Sequence, residues 1–254
     1  MPSAALSMRP LFNETPSSVA ASGEQLLWQA KLEALAEFAA GAGHEINNPL
    51  AVIINRTQRL LEDETDPQRR RELAAIGAQA YRIRDMIGDV MLFGRPPEPA
   101  PQACGLVDAV RETIDKLADG FTETETTVEL KLEDCPPLRA DPVQLKVVLS
   151  NLLQNAAHAA GEGGRITVTA TSVLEGDARF VRLCVVDDGP GLTDVDREHL
   201  FDPFYSGRQA GRGLGFGLSK CWRIVDAHGG RIEVPNAGRD GFVIAVYWPV
   251  EDGD

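Results

Sequence analysis

His44 is followed directly by Glu45, and Asn48 comes four residues after His44. These three residue types, at this spacing, could carry out a nucleophilic reaction. The apolar residues around them recur at helical spacing, so His44 and Asn48 fall on one side of a predicted helix, one turn apart. A carboxylate beside an imidazole can hold the proton on one ring nitrogen and leave the lone pair of the other free to attack. The three side chains therefore offer a nucleophile, a neighbouring base and an amide on an accessible helix.

A pair of amides further along the chain suits a magnesium ion and its phosphate ligands. Asn151 and Asn155 lie one helical turn apart, so their side chains share a helix face. Mg²⁺ prefers hard oxygen ligands and keeps several waters, and phosphate oxygens complete its shell. An asparagine oxygen is a suitable neutral ligand, although two asparagines alone are equally typical of the polar face of a helix.

Two glycine-rich segments follow this pair. The first, Asp187-Asp188-Gly189-Pro190-Gly191, comes directly after a predicted buried strand, and the second, Gly211-Arg212-Gly213-Leu214-Gly215-Phe216-Gly217, opens a predicted helix. Glycines let the backbone approach a ligand closely, and the N-terminus of a helix favours phosphate. A glycine repeat is a weak motif when it stands alone.

Taken together and in this order, the four motifs resemble the histidine kinases of bacterial two-component systems, and the resemblance runs from about Gln25 to Pro249. It implies that His44 is the phosphorylated residue, with Glu45 beside it. Asn48 occupies the place of an amide that positions a water for dephosphorylating the partner protein. The implied partners are a second copy of the chain and a response regulator, and the implied ligands are ATP and Mg²⁺.

In the ATP site, the resemblance implies that Asn155 coordinates Mg²⁺ directly and that Asn151 supports it. It implies that Asp187 accepts a hydrogen bond from the adenine amino group. Guanine would present a carbonyl there, and a buried group left unsatisfied costs on the order of 1–3 kcal/mol, so selectivity for ATP is expected. Phe204 resembles an aromatic anchor of the lid over the nucleotide. The nucleotide-binding backbone is assigned to Gly189, Gly191, Gly213, Leu214, Gly215 and Gly217.

Three positions depart from this pattern or leave alternatives. Many relatives have Thr-Thr-Lys where this chain has Ser206-Gly207-Arg208, and the fork of Arg208, assigned to a phosphate, differs in geometry from a lysine. His158 is either a basic residue near the phosphates or a partly exposed helix histidine. Asn151 stands where related ATPases of the gyrase, chaperone and mismatch-repair type have a glutamate that serves as general base. Because asparagine cannot take up a proton, the site is expected to hold ATP for transfer.

The phosphoacceptor motif lies within a helical hairpin. Two apolar series in steps of three, four and seven predict two antiparallel helices that meet at a polar break, 63–67. The series are Trp28, Leu32, Leu35, Ala39, Ala42, Ile46, Ile53 and Leu60, then Leu73, Ile76, Ala80, Ile83, Ile87 and Val90. One apolar stripe per helix favours a dimeric four-helix bundle, and the alternative is a hairpin that docks on the next domain of the same chain.

The second half of the chain mixes helical and strand patterns and predicts an α/β two-layer sandwich, which the resemblance identifies as a Bergerat-type ATP-binding fold. Its expected helices are 106–117, 142–160 and 218–227, and its expected strands are 127–132, 165–173, 180–187, 231–234 and 242–248. The expected organisation is a flexible tail (1–23), a dimerisation and phosphotransfer hairpin (24–93), a Pro-rich linker (94–103) and an ATP-binding domain (104–254).

The composition narrows the class of protein further. The formal net charge is −13, and the chain has no basic run, which disfavours a nucleic-acid partner. Its four cysteines are far apart, which favours reduced thiols in a cytoplasmic protein. No apolar run approaches the roughly 20 residues that span a bilayer.

Two rival functions fit parts of the pattern. One is an ATPase of the gyrase type that couples hydrolysis to dimer closure. The other is a nucleotide-responsive, non-catalytic dimeric scaffold, or a regulator biased towards dephosphorylation, which the altered lid sequence favours.

Overall fold

The computed structural model describes residues 6–7, 19–94, 96–205, 215–236 and 241–251. The chain divides into two compact units, with the boundary between Pro97 and Glu98. We call the described residues from 19 to 97 the helical unit, and those at 6–7 and from 98 onward the sheet unit.

The helical unit consists of helix α1, Val19–Asp63, and helix α2, Pro67–Gly94. The turn between them is closed by side-chain hydrogen bonds: Asp66 Oδ1 accepts from the backbone of Gln68 at 2.8 Å and of Arg69 at 2.9 Å. Pro67 takes the first helical position, where its missing N–H costs nothing. The predicted polar break therefore contains the N-cap of α2, Asp66, which the sequence analysis did not single out.

Helix α1 begins earlier than the sequence predicted, at Val19 and not near Gln25, so it extends into the stretch assigned to a flexible tail. Before it, Leu6–Ser7 form strand β1, and the other residues of that stretch, 1–5 and 8–18, lie outside the described residues. The Ala- and Ser-rich start of the helix carries no apolar period, which is why the pattern did not include it.

The core of the hairpin also differs from the predicted seam. Leu50 and Ile54 of α1 are buried against Ala80 of α2, and Ile46 and Tyr81 pack beside them. Leu50 and Ile54 were absent from the predicted series. Those two series correctly placed Ala80, whereas several of their other members are exposed, as described below for the dimer.

The sheet unit contains a six-stranded mixed sheet in the order β1-β7-β8-β6-β5-β3 and a two-stranded ribbon of β2 and β4. The pair β3–β5 is parallel, and the other pairs are antiparallel. The strands are β2 Gln102–Cys104, β3 Thr127–Leu132, β4 Leu138–Ala140, β5 Arg165–Glu175, β6 Ala178–Asp187, β7 Arg231–Asn236 and β8 Phe242–Pro249. The helices are α3 Leu106–Glu123, α4 Pro142–Ala160, α5 Asp194–His199 and α6 Gly217–Ala227.

Helix α4 lies at the centre of the unit, because it packs against α3, α6, β5 and β6. Its apolar side is fully buried through Leu145, Val148 and Leu152, and the facing strand residues include Val168 and Leu183. Alternate residues along β5 and β6 are buried, as expected for a sheet whose one face is covered by helices. The predicted helical hairpin followed by an α/β sandwich is confirmed.

Two local features were not predicted. Gln102 and Ala103, assigned to the Pro-rich linker, pair with Ala140 and Arg139 in the ribbon. Helix α5 was also missed, although Thr193 and Asp196 have the spacing of a capping box. Both elements are too short to show a period, so only their cap and turn residues could have indicated them. In the described part of the chain, no helix is long and apolar enough to cross a membrane.

The N-terminus of α4 is fixed by Asp141. Its Oδ1 accepts from the backbone N–H of Val143 at 2.9 Å and of Gln144 at 3.1 Å, and its Oδ2 accepts from Ala100 N–H at 3.0 Å. Burial by itself would raise the pKa of Asp141, but these hydrogen bonds and nearby His228 lower it overall. The ionised carboxylate therefore stabilises the fold.

We expect Asp141→Ala to lower the free energy of unfolding of the sheet unit by about 1–2 kcal/mol, the usual effect of losing an N-cap. A carboxyl whose folded pKa is lowered stabilises the fold above its unfolded pKa, and this contribution is lost as the pH falls through the folded pKa. The difference between wild type and variant should therefore shrink below about pH 4. Urea unfolding followed by tryptophan fluorescence measures it. Asp115→Ala, at an exposed position within α3, is the control and should change little.

Candidate functional site

The first residue of α6 lies against the two amides of α4. A Cβ on Gly217 would sit 3.3 Å from Asn151 Oδ1 and 3.5 Å from Asn155 Nδ2. Asn151 Nδ2 donates to the Val147 carbonyl of its own helix at 2.8 Å, which fixes the amide and leaves its oxygen nearest Gly217. The structure thus brings together the predicted metal ligands and the predicted phosphate-binding end of α6.

Asp187 ends β6 with its side chain buried, at 4% exposure. Its Oδ1 accepts from the Gly189 N–H at 3.0 Å. Burial raises the pKa of Asp187, while hydrogen bonds from the backbone of Gly189 and Phe242 oppose the rise and the charge of Asp188 adds to it. The two oxygens of a carboxylate offer about four acceptor sites, so the buried Asp187 can accept from a specific donor on a ligand in addition to these two backbone bonds. Asp188 is exposed, and its Oδ1 accepts from Arg165 N–H at 2.8 Å.

The first glycine segment packs directly on the C-terminal end of α4. A Cβ on Gly189 would lie 2.5 Å from the Ala159 carbonyl oxygen and 2.9 Å from Asp187 Oδ1, so no larger residue fits without movement. Gly191 has a φ of 73°, a left-handed conformation that glycine adopts without strain. Position 189 therefore requires glycine because there is no space for a side chain, and position 191 favours glycine because of its left-handed backbone.

The described end of the second glycine segment, Gly215 and Phe216, meets the aromatic segment before it. The rings of Phe204 and Phe216 pack edge to face with centroids 4.6 Å apart. A Cβ on Gly215 would lie 2.2 Å from the Tyr205 carbonyl oxygen, and Gly215 has a φ of 74°. Phe204 is 60% exposed, whereas Phe216 is buried. Of the other predicted nucleotide contacts, Arg208, Gly213 and Leu214 lie outside the described residues.

The histidines of the sheet unit have local partners. His158 is exposed on α4, and its Nδ1 lies 2.5 Å from the Gln154 carbonyl of the same helix. His228 is buried; its Nε2 accepts from Asp141 N–H at 3.0 Å, and its Nδ1 lies 2.7 Å from the Ile224 carbonyl. The hydrogen bond between Asp141 and His228 joins the start of α4 to the end of α6, so His228 has a structural role.

His44, Glu45 and Asn48 are all exposed on α1. The backbone just before His44 is held from the opposite side, because Gly43 is buried and a Cβ there would lie 2.6 Å from the Met91 sulfur of α2. The imidazole therefore projects from a supported helix, with the carboxylate next to it and the amide one turn on.

Comparison with known proteins matches both units. Residues 34–99 match the family described as the His Kinase A (phospho-acceptor) domain, and residues 140–252 match the Histidine kinase-, DNA gyrase B-, and HSP90-like ATPase family. The sensor histidine kinase ZraS of Klebsiella oxytoca is 33% identical over 224 residues, which are 87% of this chain and 47% of ZraS. The chain spans about half the length, or less, of such curated relatives.

Solved structures agree with these matches. The catalytic domain of histidine kinase ThkA is 30% identical, with a TM-score of 0.52, and covers 59% of this chain and 95% of that domain. ThkA in complex with response regulator protein TrrA shares the fold over 94% of this chain and 68% of ThkA, with a TM-score of 0.63 and 24% identity. Full-length ShkA in complex with AMPPNP shares it over 85% of this chain and 47% of ShkA, with a TM-score of 0.73 and 21% identity. The chain belongs to the two-component sensor histidine kinases.

We expect Asp187→Asn to weaken ATP binding by about ten- to hundredfold, which corresponds to leaving one buried polar group unsatisfied. The asparagine oxygen can keep the Gly189 bond, but its NH₂ group then faces the adenine amino group, and two donors meet. Isothermal titration with ATP measures the change.

Asp187→Asn should bind ATP more weakly, but it should be at least as stable as the wild type. Because the pKa of Asp187 is raised in the folded protein, its ionised form disfavours folding above the unfolded pKa. Removing the charge should leave the urea midpoint at neutral pH unchanged or higher. Asp188→Asn, on the exposed neighbour, is the control and should bind ATP like wild type; equal loss in both variants would contradict the role of Asp187.

Proposed function

We propose that this chain is an ATP-dependent protein histidine kinase core that phosphorylates its own His44 and passes the phosphoryl group to an aspartate of a response regulator. The observation that carries the proposal is the pairing of an exposed His44–Glu45 on α1 with a site in the sheet unit where Asn151, Asn155 and Gly217 converge. The first group supplies the acceptor, and the second supplies the nucleotide site.

The residues of the sheet unit fit a Mg·ATP ligand. Asp187 would receive the adenine amino group, and the backbone at Gly189, which packs on the end of α4 beside Asp187, would lie next to the base. The N–H groups at the start of α6 would face the phosphates, where the positive end of the helix favours negative charge. Asn155, with Asn151 beside it, offers amide oxygens of the kind that Mg²⁺ accepts.

His44 would act as the nucleophile. Bound ATP would supply the γ-phosphoryl group with ADP as the leaving group, and a Mg²⁺ ion held by Asn155 and Asn151 would supply neutralisation of the phosphate charge. One ring nitrogen of His44 forms the new bond to phosphorus, and Glu45 holds the proton on the other, so that the attacking nitrogen keeps its lone pair. The transfer depends on positioning more than on covalent chemistry. We infer that the Pro-rich segment between the two units allows them to approach.

One further feature supports transfer over hydrolysis of ATP. Asn151 has no proton-accepting group, so it cannot activate a water as a glutamate would.

Asn48 is assigned a second role. It is exposed one turn from His44, and it would orient a water on a phosphorylated response regulator, so that the same helix would also serve dephosphorylation.

The helical unit is proposed to dimerise. Among the members of the predicted series whose side chains the structure describes, four are exposed in the single chain: Ile53 at 42%, Leu60 at 58%, Ile76 at 52% and Ile83 at 43%. They lie on both helices at heptad-related positions, and a second copy would bury them in a four-helix bundle.

The phosphoacceptor is tested by labelling with γ-labelled ATP. We expect His44→Gln to abolish incorporation of label, while its affinity for ATP by titration stays at the wild-type value. His158→Gln is the matched control, because it removes the exposed histidine of α4 and keeps His44. Label retained in His44→Gln and lost in His158→Gln would refute the assignment.

The dimer is tested by placing a charge in the exposed series. We expect Ile53→Glu to raise the dimer dissociation constant by at least about a hundredfold, because an unpaired buried charge costs on the order of 3–5 kcal/mol. Val52→Glu changes the adjacent residue, which is 52% exposed and lies outside the series, and should leave the dimer intact. Light scattering after gel filtration gives both masses, and a dimer that survives Ile53→Glu would contradict this interface.

A further inference from the structure

The segment before the second glycine region is tied to α5 by one phenol–carboxylate hydrogen bond. Tyr205 Oη donates to Asp196 Oδ1 at 2.7 Å. The other oxygen of Asp196 accepts from Thr193 Oγ1 at 2.5 Å and from Thr193 N–H at 3.2 Å, and Asp196 N–H donates to Thr193 Oγ1 at 3.1 Å. The carboxylate is therefore held on one side by the cap of α5 and offers its other side to Tyr205.

Tyr205 lies directly against Gly215. Its carbonyl oxygen is the atom that a Cβ on Gly215 would strike, and the preceding Phe204 packs its ring on Phe216. Phe204 has a φ of 67°, a left-handed conformation that a phenylalanine adopts only when its neighbours hold it there. The bond from Tyr205 to Asp196 fixes the residue directly after this strained position.

The contacts continue from Phe216 to the proposed phosphate site. Phe216 is the N-cap residue of α6, and its carbonyl accepts from Lys220 N–H at 2.9 Å and from Ser219 Oγ at 3.2 Å. The next residue, Gly217, lies against the amides of Asn151 and Asn155. A movement of Tyr205 would therefore be passed through Gly215 and Phe216 to the first turn of α6.

We propose that Asp196 and Tyr205 are positioning residues that hold the first turn of α6 against the amides of α4 and thereby set the affinity for the phosphate part of ATP. This inference rests on the proposed ATP-binding function. Neither side chain needs to touch the nucleotide, because both act through the Phe204–Phe216 and Tyr205–Gly215 contacts.

The test compares Tyr205→Phe with wild type in the full chain. The variant keeps the aromatic ring and loses only the hydroxyl. We expect the KM for ATP to rise about five- to tenfold, less than the full effect of losing a hydrogen bond to a charged group because the bond acts on the site only through other contacts, with kcat within about twofold. Affinity for AMP, measured by titration, should stay near the wild-type value, because the adenine end of the site does not depend on this contact.

Two control variants separate this effect from general loss of stability. Thr113→Ala removes a buried hydroxyl of α3, whose Oγ1 donates to the Ala109 carbonyl at 2.7 Å, on a different helix from Asp196; it should lower the melting temperature but not raise the KM for ATP. Tyr81→Phe makes the same chemical change in the helical unit, where the hydroxyl accepts from Gln58 Nε2 at 2.7 Å, and should leave the KM unchanged. Asp196→Ala should raise the KM as Tyr205→Phe does, and the double variant should be no worse than either alone.

A readout that needs no nucleotide keeps this inference distinct from the proposed function. Hydrogen exchange of the α6 amides should be faster in Tyr205→Phe than in wild type and unchanged in Thr113→Ala. Wild-type ATP affinity in Tyr205→Phe, an equal loss for ATP and AMP, or unchanged exchange in α6 would each overturn the positioning role. Failure of the wild type to bind ATP at all would instead overturn the proposed function.

Discussion

The close approach of Gly217 to the amides of Asn151 and Asn155 restricts how α6 can lie on α4. A side chain at 217 would crowd that contact, and a shift of α6 along α4 would separate the helix end from the amides. The fold restrains such a shift at both ends of α6. At its C-terminal end, His228 bonds to the backbone of Asp141. At its N-terminal end, Phe216 is packed against Phe204, which precedes the tethered Tyr205.

Helix α4 is the common partner of every part of this site. Its first turn carries the Asp141 cap, its middle carries the two amides, and its last turn contacts Gly189. The apolar side of the same helix is buried against the sheet, so the polar face is oriented by packing that has no direct role in binding. The helical unit differs, because its proposed reactive residues lie at the surface. Gly43 packs on Met91 of α2, while His44, Glu45 and Asn48 of the same helix are exposed. Such an arrangement is consistent with the proposed role of His44, in which the imidazole would be reached by a nucleotide site and by a response regulator.

Local chemistry made much of this predictable from the sequence. Asp141, Pro142 and the apolar period fixed α4 to within a residue, and the order of motifs identified the family. What the sequence could not supply are contacts between distant segments. The Gly189–Ala159 and Gly217–Asn151 approaches, and the Tyr205–Asp196 bond, depend on how elements pack, and no local period encodes them. A heptad pattern does not distinguish the helix face that packs within the hairpin from the face towards a second copy. Leu50 and Ile54, which pack within the hairpin, were therefore missed. The site assignments of the individual residues stay predictions.

The proposed function requires that the exposed His44 imidazole and the separate nucleotide site take part in one reaction. Incubation of the wild-type protein with Mg·ATP, followed by tandem mass spectrometry at neutral pH, locates the phosphoryl group. We expect a single phosphoryl group on the His44 ring, lost in acid and kept in alkali. A phosphoryl group on another residue, or steady release of phosphate with none on the protein, would contradict it.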